Sequence, residues 1–322
     1  MRISTIVSIS FFLCCLKFLF AAEKHRTVKT SRPIIGILSQ STRESYYESF
    51  GKDSLHIVAS YVKFLESSGA RVVPIRTDVG EEELTKLYRS INGLLLPGGR
   101  QTKASSYYNA SKTLLELAVQ TNDGGGYFPV LGICLGHQVL TLWISGVRDR
   151  CITAMKMQDS VRPLNLSSGC CRGSKMIGSI PTPLLKSNPT IATYHAHDFS
   201  CSLQKFLASE RLTNFFRVLS TNIDDEGMEF VSTMEAKRYP FYSMQWHPEK
   251  SAFEWNPGKK IPHDATTIEF NYFISKFMVN EAKLNDHSFE SETTEQNALI
   301  YNYCPVYTGR NYSYEAEQIY IL

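Results

Sequence analysis

The sequence predicts an α/β fold: a mainly parallel sheet covered by helices on both faces. Two observations carry this reading. Short apolar, β-branched runs alternate along the chain with segments whose apolar residues recur at helical spacing. One of these runs, Val130 to Ile133, delivers a single cysteine, Cys134, between Gly132 and Gly136, and an apolar segment from Val139 to Trp143 follows. Strand, sharp turn and helix in that order form a nucleophile elbow, which exposes a reactive side chain at the carboxyl edge of a sheet. The two glycines leave room at the turn. The start of a helix just after Cys134 favours its thiolate, the reactive form.

The elements follow in order. Pro33 to Ser39 reads as a first buried strand. Leu55, Val58, Ala59, Val62 and Leu65 recur at helical spacing, and Gly69 closes that helix. Arg71 to Ile75 is a second strand. Glu81 to Tyr88 is a helix with acidic residues in its first turn. Gly93 to Leu96 is a third strand, ending in Pro97-Gly98-Gly99. A helix over Thr113 to Val119 and an Asp123-Gly-Gly-Gly loop lead to the cysteine strand. Ligands in such sheets bind at the carboxyl ends of the strands, where Cys134 and the Pro97-Gly98-Gly99 turn both fall. In the second half, Arg217 to Thr221 and Met228 to Thr233 read as strands joined by a turn. Phe241 to Trp246 is a strand ending in His247-Pro248-Glu249-Lys250, and residues 264 to 284 form a helix with Ile268, Tyr272, Ile274, Phe277 and Met278 as its apolar side.

The 322 residues suffice for a large core, and 43% hydrophobic with 20% charged residues is ordinary globular composition. A net charge of +3 and the lack of a basic cluster with interleaved aromatics argue against a nucleic-acid partner. Arg2, the apolar run Ile6 to Phe20 and the small residues Ala21 and Ala22 have the layout of a secretory signal peptide, so residues 1–22 are expected to be removed. The run is short for a membrane span, and no later stretch is long and apolar enough, so no stable membrane anchor is expected. Residues 23–322 then form a single domain.

Secretory entry gives meaning to three sequons, at Asn109, Asn165 and Asn311. It also permits disulfides among Cys134, Cys151, Cys170, Cys171, Cys201 and Cys304, the cysteines left once Cys14 and Cys15 depart with the signal. If Cys134 is the nucleophile, the other five cannot all pair. The chain lacks a Cys-x-x-Cys with matching histidine spacing, so no zinc site is expected, and the chemistry calls for no cofactor.

A cysteine nucleophile needs a base, and the base needs a group to orient it. His247, also at a strand's carboxyl end, is the candidate base. Glu249, beyond the restricting Pro248, can curl back to the imidazole. Attack on an amide creates an oxyanion that needs N–H donors. The Leu135 amide is the natural first donor, and the Gly98-Gly99 turn can present a second.

These residues carry a resemblance. Gly-Ile-Cys134-Leu-Gly-His-Gln138 with Trp-His247-Pro-Glu249 resembles the class I glutamine amidotransferase superfamily, whose fold is flavodoxin-like. Within it the chain resembles the gamma-glutamyl hydrolase family from about residue 32 to its end. Arg32-Pro-Ile-Ile-Gly-Ile-Leu, Gly69-Ala-Arg-Val-Val-Pro, Val231-Ser-Thr-Met-Glu and Ala298-Leu-Ile-Tyr carry this likeness. The resemblance implies a secreted or lysosomal thiol hydrolase, commonly a homodimer, that cuts gamma-linked glutamate from folyl and antifolyl polyglutamates. It places Cys134, His247 and Glu249 on the family's catalytic set. It also puts a substrate-assisting histidine at His197, with His195 as the alternative. One departure stands out: the elbow continues Gly136-His137-Gln138, where the family usually has Gly-Phe-Glu. Gln138 is therefore expected near the substrate, tuning affinity or chain-length preference. Two other readings stay open: the glutaminase half of an amidotransferase, and a paralogue that binds pteroylpolyglutamate without cutting it.

Overall fold

The computed structural model describes residues 26–42, 50–51, 54–146, 151–167, 173–186, 191–310 and 315–322. The signal segment, Cys170, Cys171 and Asn311 lie outside them. The strands, in chain order, are β1 (Ile34–Leu38), β2 (Gln40–Ser41), β3 (Leu55–Val58), β4 (Arg71–Ile75), β5 (Gly93–Leu96), β6 (Val130–Ile133), β7 (Ile152–Pro163), β8 (Ala192–Cys201), β9 (Phe216–Ile223), β10 (Glu229–Ala236), β11 (Phe241–Met244), β12 (Pro305–Tyr307) and β13 (Gln318–Ile321). The helices that cover the sheet are α1 (Ala59–Glu66), α2 (Glu81–Tyr88), α3 (Ser106–Asp123), α4 (Leu135–Ser145) and α5 (Ala265–Ala282).

The central sheet runs β4-β1-β5-β6-β11-β10-β9. Its first five strands are parallel, and β10 and β9 add antiparallel. Because side chains alternate across a strand, one apolar run feeds two cores. Ile34 and Leu38 of β1 pack with Leu84, Leu114 and Leu140 from α2, α3 and α4. Ile35 and Ile37 pack with Val62, Leu65, Ile274 and Met278 from α1 and α5. Helices thus cover both faces, as the sequence predicts.

Four features differ from the sequence expectation. Leu55 to Val58 is a strand, and the helix begins only at Ala59. Apolar spacing of three fits either state over so short a stretch. Pairing with β2 and with β13 from the far end of the chain decides it. α3 starts at Ser106, ahead of the predicted Thr113, because Ser105 caps it by accepting from the Tyr108 N–H. On α5, Tyr272 is exposed, while Phe270 joins Ile274, Phe277 and Met278 in the core. Finally, β7 and β8 form a long antiparallel ribbon that no apolar alternation announced. A Cys151–Cys201 disulfide staples its open end, with the Cα atoms 5.1 Å apart. Cys134 and Cys304 are free thiols. Asn109 and Asn165 are both exposed. Ser111 of the first sequon is buried and donates to the Tyr107 carbonyl at 2.7 Å.

The elbow explains its glycines. Cys134 has φ 51° and ψ −101°, the strained corner between β6 and α4. A Cβ on Gly132 would lie 2.8 Å from the Gly136 carbonyl carbon, and one on Gly136 would run into the Leu96 carbonyl oxygen at the end of β5. Gly136→Ala should therefore cost about 1–3 kcal/mol of stability, the usual toll of overpacking against a fixed backbone. A urea denaturation midpoint equal to wild type would contradict that packing.

Candidate active site

Strand register assembles the site. Leu96 of β5 pairs with Gly132 of β6, so two residues on, Gly98 comes level with Cys134. On the other side, Met244 of β11 pairs with Ile133, which brings the turn after β11 alongside the same cysteine. Around Gly98 the crowding is complete. A Cβ there would lie 2.8 Å from the His247 Cε1, 3.0 Å from the Cys134 Cβ and 2.7 Å from the Tyr61 hydroxyl. Three side chains from three distant parts of the sequence thus meet at one glycine.

His247 and Glu249 are both buried, and their side chains bond Nδ1 to Oε1 at 2.7 Å. The His247 N–H donates to the Tyr194 carbonyl at 2.9 Å, so the β7–β8 ribbon holds this turn in place. His247 Nε2 is buried, and the group it interacts with is the Cys134 side chain. In resting enzymes the nucleophile–base hydrogen bond is often long and tightens with substrate. Burial by itself lowers the imidazole pKa. The Glu249 carboxylate and Cys134 overcome that and raise it to about 9. Glu249 shows the mirror effect: burial raises it, but His247 holds it below the usual carboxylate range.

A model of the family described as peptidase C26 matches residues 33–249, which include Cys134, His247 and Glu249. The chain belongs to the peptidase C26 family. It is 43% identical over 294 residues to the gamma-glutamyl hydrolase of Homo sapiens, covering 90% of this chain and 89% of that protein. It is 36% identical over 310 residues to gamma-glutamyl hydrolase B of Dictyostelium discoideum, covering 94% and 87%. Among solved structures, the CTPS glutaminase domain of Trypanosoma brucei superposes with a TM-score of 0.54 at 14% identity, covering 80% of this chain and 98% of that one. That likeness shows the fold alone, the glutamine amidotransferase type.

Within this peptidase C26 site, the oxyanion candidates part company. The Leu135 N–H is the first of α4, where no intrahelical acceptor exists. The Gly98 N–H instead donates to the Tyr61 hydroxyl at 2.8 Å, and the Gly98 carbonyl accepts from Gln40 Nε2 at 2.6 Å. Gly99 lies against the same Gln40 side chain, with no space for a Cβ. Tyr61 and Gln40 are site residues that sequence reasoning missed. Both are ordinary residues of a strand and a helix, and no motif marks them. Burial pushes the Tyr61 phenol well up, and the negative charge of Glu249 adds to that, so it keeps its proton.

The two side chains expected to contact substrate sit elsewhere. On β8, alternation turns Tyr194 and Ala196 to the pocket around Cys134. His195 and His197 face the other way, bonded to each other at 3.1 Å and packed edge-on against Phe230. Burial keeps His197 neutral, with its pKa lowered to about 3. Gln138 donates to the Phe199 carbonyl at 2.8 Å and tethers α4 to the ribbon. It borders a separate apolar cavity with Leu142, Ile152 and Phe199, not the pocket around Cys134. Among the described residues, no cluster of three or more His, Cys, Asp or Glu could hold a metal.

The raised imidazole makes stability depend on pH. A group whose folded pKa exceeds its free value stabilises fully below the free value and loses that contribution as pH rises through the folded one. For His247 the window runs from 6.5 to about 9. The wild-type melting temperature should fall across this window more steeply than that of Glu249→Gln, in which burial is no longer opposed by the carboxylate. Parallel slopes in thermal melts would show that the pair is uncharged.

Proposed function

We propose that this hydrolase cleaves γ-glutamyl amide bonds of folyl and antifolyl poly-γ-glutamates through Cys134, His247 and Glu249. The observation that carries the reading is the buried 2.7 Å His247–Glu249 bond beside a cysteine held at a positive-φ elbow. In the first step His247 takes the thiol proton and Cys134 Sγ attacks the γ-carbonyl carbon. The carbonyl oxygen becomes an oxyanion, and the Leu135 N–H donates to it. The amide C–N bond then breaks, His247 delivers its proton to the leaving amine, and a γ-acyl thioester remains. Water, deprotonated by His247, attacks the thioester and regenerates the thiol. Glu249 holds the ring's orientation and balances its charge throughout.

Tyr61 fits this scheme as a support. Its hydroxyl oxygen accepts the Gly98 N–H, and burial together with the nearby Glu249 carboxylate keeps the phenol protonated. The apolar amino terminus, the sequons and the Cys151–Cys201 disulfide suit the secretory route and its lysosomal branch. Among the described residues no helix is long and apolar enough to cross a membrane. A homodimer is proposed on the family resemblance.

Purified protein should release glutamate or glutamyl peptides from pteroylpentaglutamate, resolved by chromatography. Cys134→Ala should lose that activity while keeping its fold. His247→Ala should lower the rate by about two to four decades, the usual worth of a positioned base. Full activity in Cys134→Ala would sink the mechanism. Ammonia release from glutamine without glutamate release from the folate would favour the amidotransferase reading.

A further inference from the structure

The pocket around Cys134 has two unlike walls. The inner wall includes Gln40, His56 and Tyr61, all buried. The outer rim carries three cations from three loops: Arg100 after the Gly98-Gly99 turn, Lys250 after Glu249, and Lys259 in the segment that leads to α5. Their charges are committed to different degrees. Lys250 acts on two buried carboxylates and lowers the pKa of both Glu249 and Glu254. Arg100 faces Asp198 at 3.7 Å in a solvated pair of little strength. The Lys259 ammonium has no hydrogen bond or ion pair among the described residues, although its backbone is fixed. The Asn256 side chain accepts from the Gly258 N–H at 2.9 Å, and the Asn256 carbonyl accepts from the Lys259 N–H at 3.0 Å. Next to it, the Lys260 N–H donates to Asp159 at 2.8 Å. A well-held turn therefore presents one uncommitted positive charge at the mouth of the pocket. The acidic residues on the same pocket are Glu254, whose carboxyl burial pushes up, and Glu315.

A poly-γ-glutamate is linked through its side-chain carboxyls, so every residue retains a free α-carboxylate. Each such charge that leaves bulk water needs a partner. We propose that Lys259 is a specificity-determining residue. Its ammonium binds the α-carboxylate of the γ-linked glutamate that extends from the pocket toward solvent, so glutamate chains bind better than single γ-glutamyl amides. The inference rests on the proposed γ-glutamyl hydrolysis and names the group that reads chain length. A lysine suits the task, because a point charge on a flexible stem can follow a polymer that shifts its register, which a planar guanidinium fork does less well.

The test compares two substrates with the purified full chain: γ-glutamyl-p-nitroanilide, which has no second α-carboxylate, and pteroylpentaglutamate. Lys259→Ala should raise KM on the pentaglutamate about two- to fivefold, the upper range for a solvated charge pair, with kcat retained. Lys259→Glu should raise it further. In both variants the ratio of kcat/KM between pentaglutamate and anilide should fall. Added salt should shrink the wild-type preference for the pentaglutamate. Lys260→Ala, one residue along and outside the pocket, should keep the wild-type ratio. If Lys259→Ala and Lys259→Glu leave the ratio unchanged while wild type is active, or change both substrates equally, the inference is overturned and the hydrolase reading stands. If wild type cleaves neither substrate, the hydrolase reading fails and the inference fails with it.

Discussion

Everything at the site depends on one backbone corner. Cys134 must turn at positive φ so that its thiol leaves the sheet edge while α4 begins at once behind it. An L-residue adopts that conformation only when its surroundings fix it. Here the Cys134 N–H is tied to the Met244 carbonyl of β11 at 2.8 Å, and Gly136 presses against the end of β5. The strands that clamp the cysteine are thus those that deliver Gly98 and His247. Strain at the nucleophile and alignment of its neighbours come from a single packing arrangement.

Electrostatics then divides the histidines into two kinds. His247 is buried beside a carboxylate and a thiol, and its pKa rises to about 9. His137 and His197 are buried as deeply without such a partner, and burial lowers each to about 3. Depth alone makes an imidazole neutral, and a bonded carboxylate reverses that. Of these three, only His247 has a carboxylate within bonding distance, Glu249 at 2.7 Å.

The outer half of the pocket comes from additions around the sheet. The β7–β8 ribbon supplies Tyr194 and holds the His247 turn through a backbone hydrogen bond. Of the C-terminal strands, β13 returns to pair with β3 and β12 pairs with β13, bringing Glu315 and Ala316 to the rim. These segments are rich in polar residues and irregular in their apolar pattern, so nothing local identifies them as walls of a site. Their pairing energy lies in partners far away in the chain.

The sequence by itself determined the α/β alternation, since buried parallel strands and amphipathic helices each need an apolar period that survives in one dimension. It also determined which residues were candidates for the chemistry, because an elbow cysteine between glycines and a His-x-Glu at a strand end are local patterns. Only the tertiary structure decided that Leu55 to Val58 is a strand, that Tyr61 and Gln40 occupy the Gly98 turn, and that Gln138, His195 and His197 face away from the pocket around Cys134. The facing of His195 and His197 depends on strand register, and the other outcomes on strand pairing and helix packing between distant segments. A shift of one residue in register reverses the face of every side chain, and no local pattern in the sequence records which register the folded chain adopts.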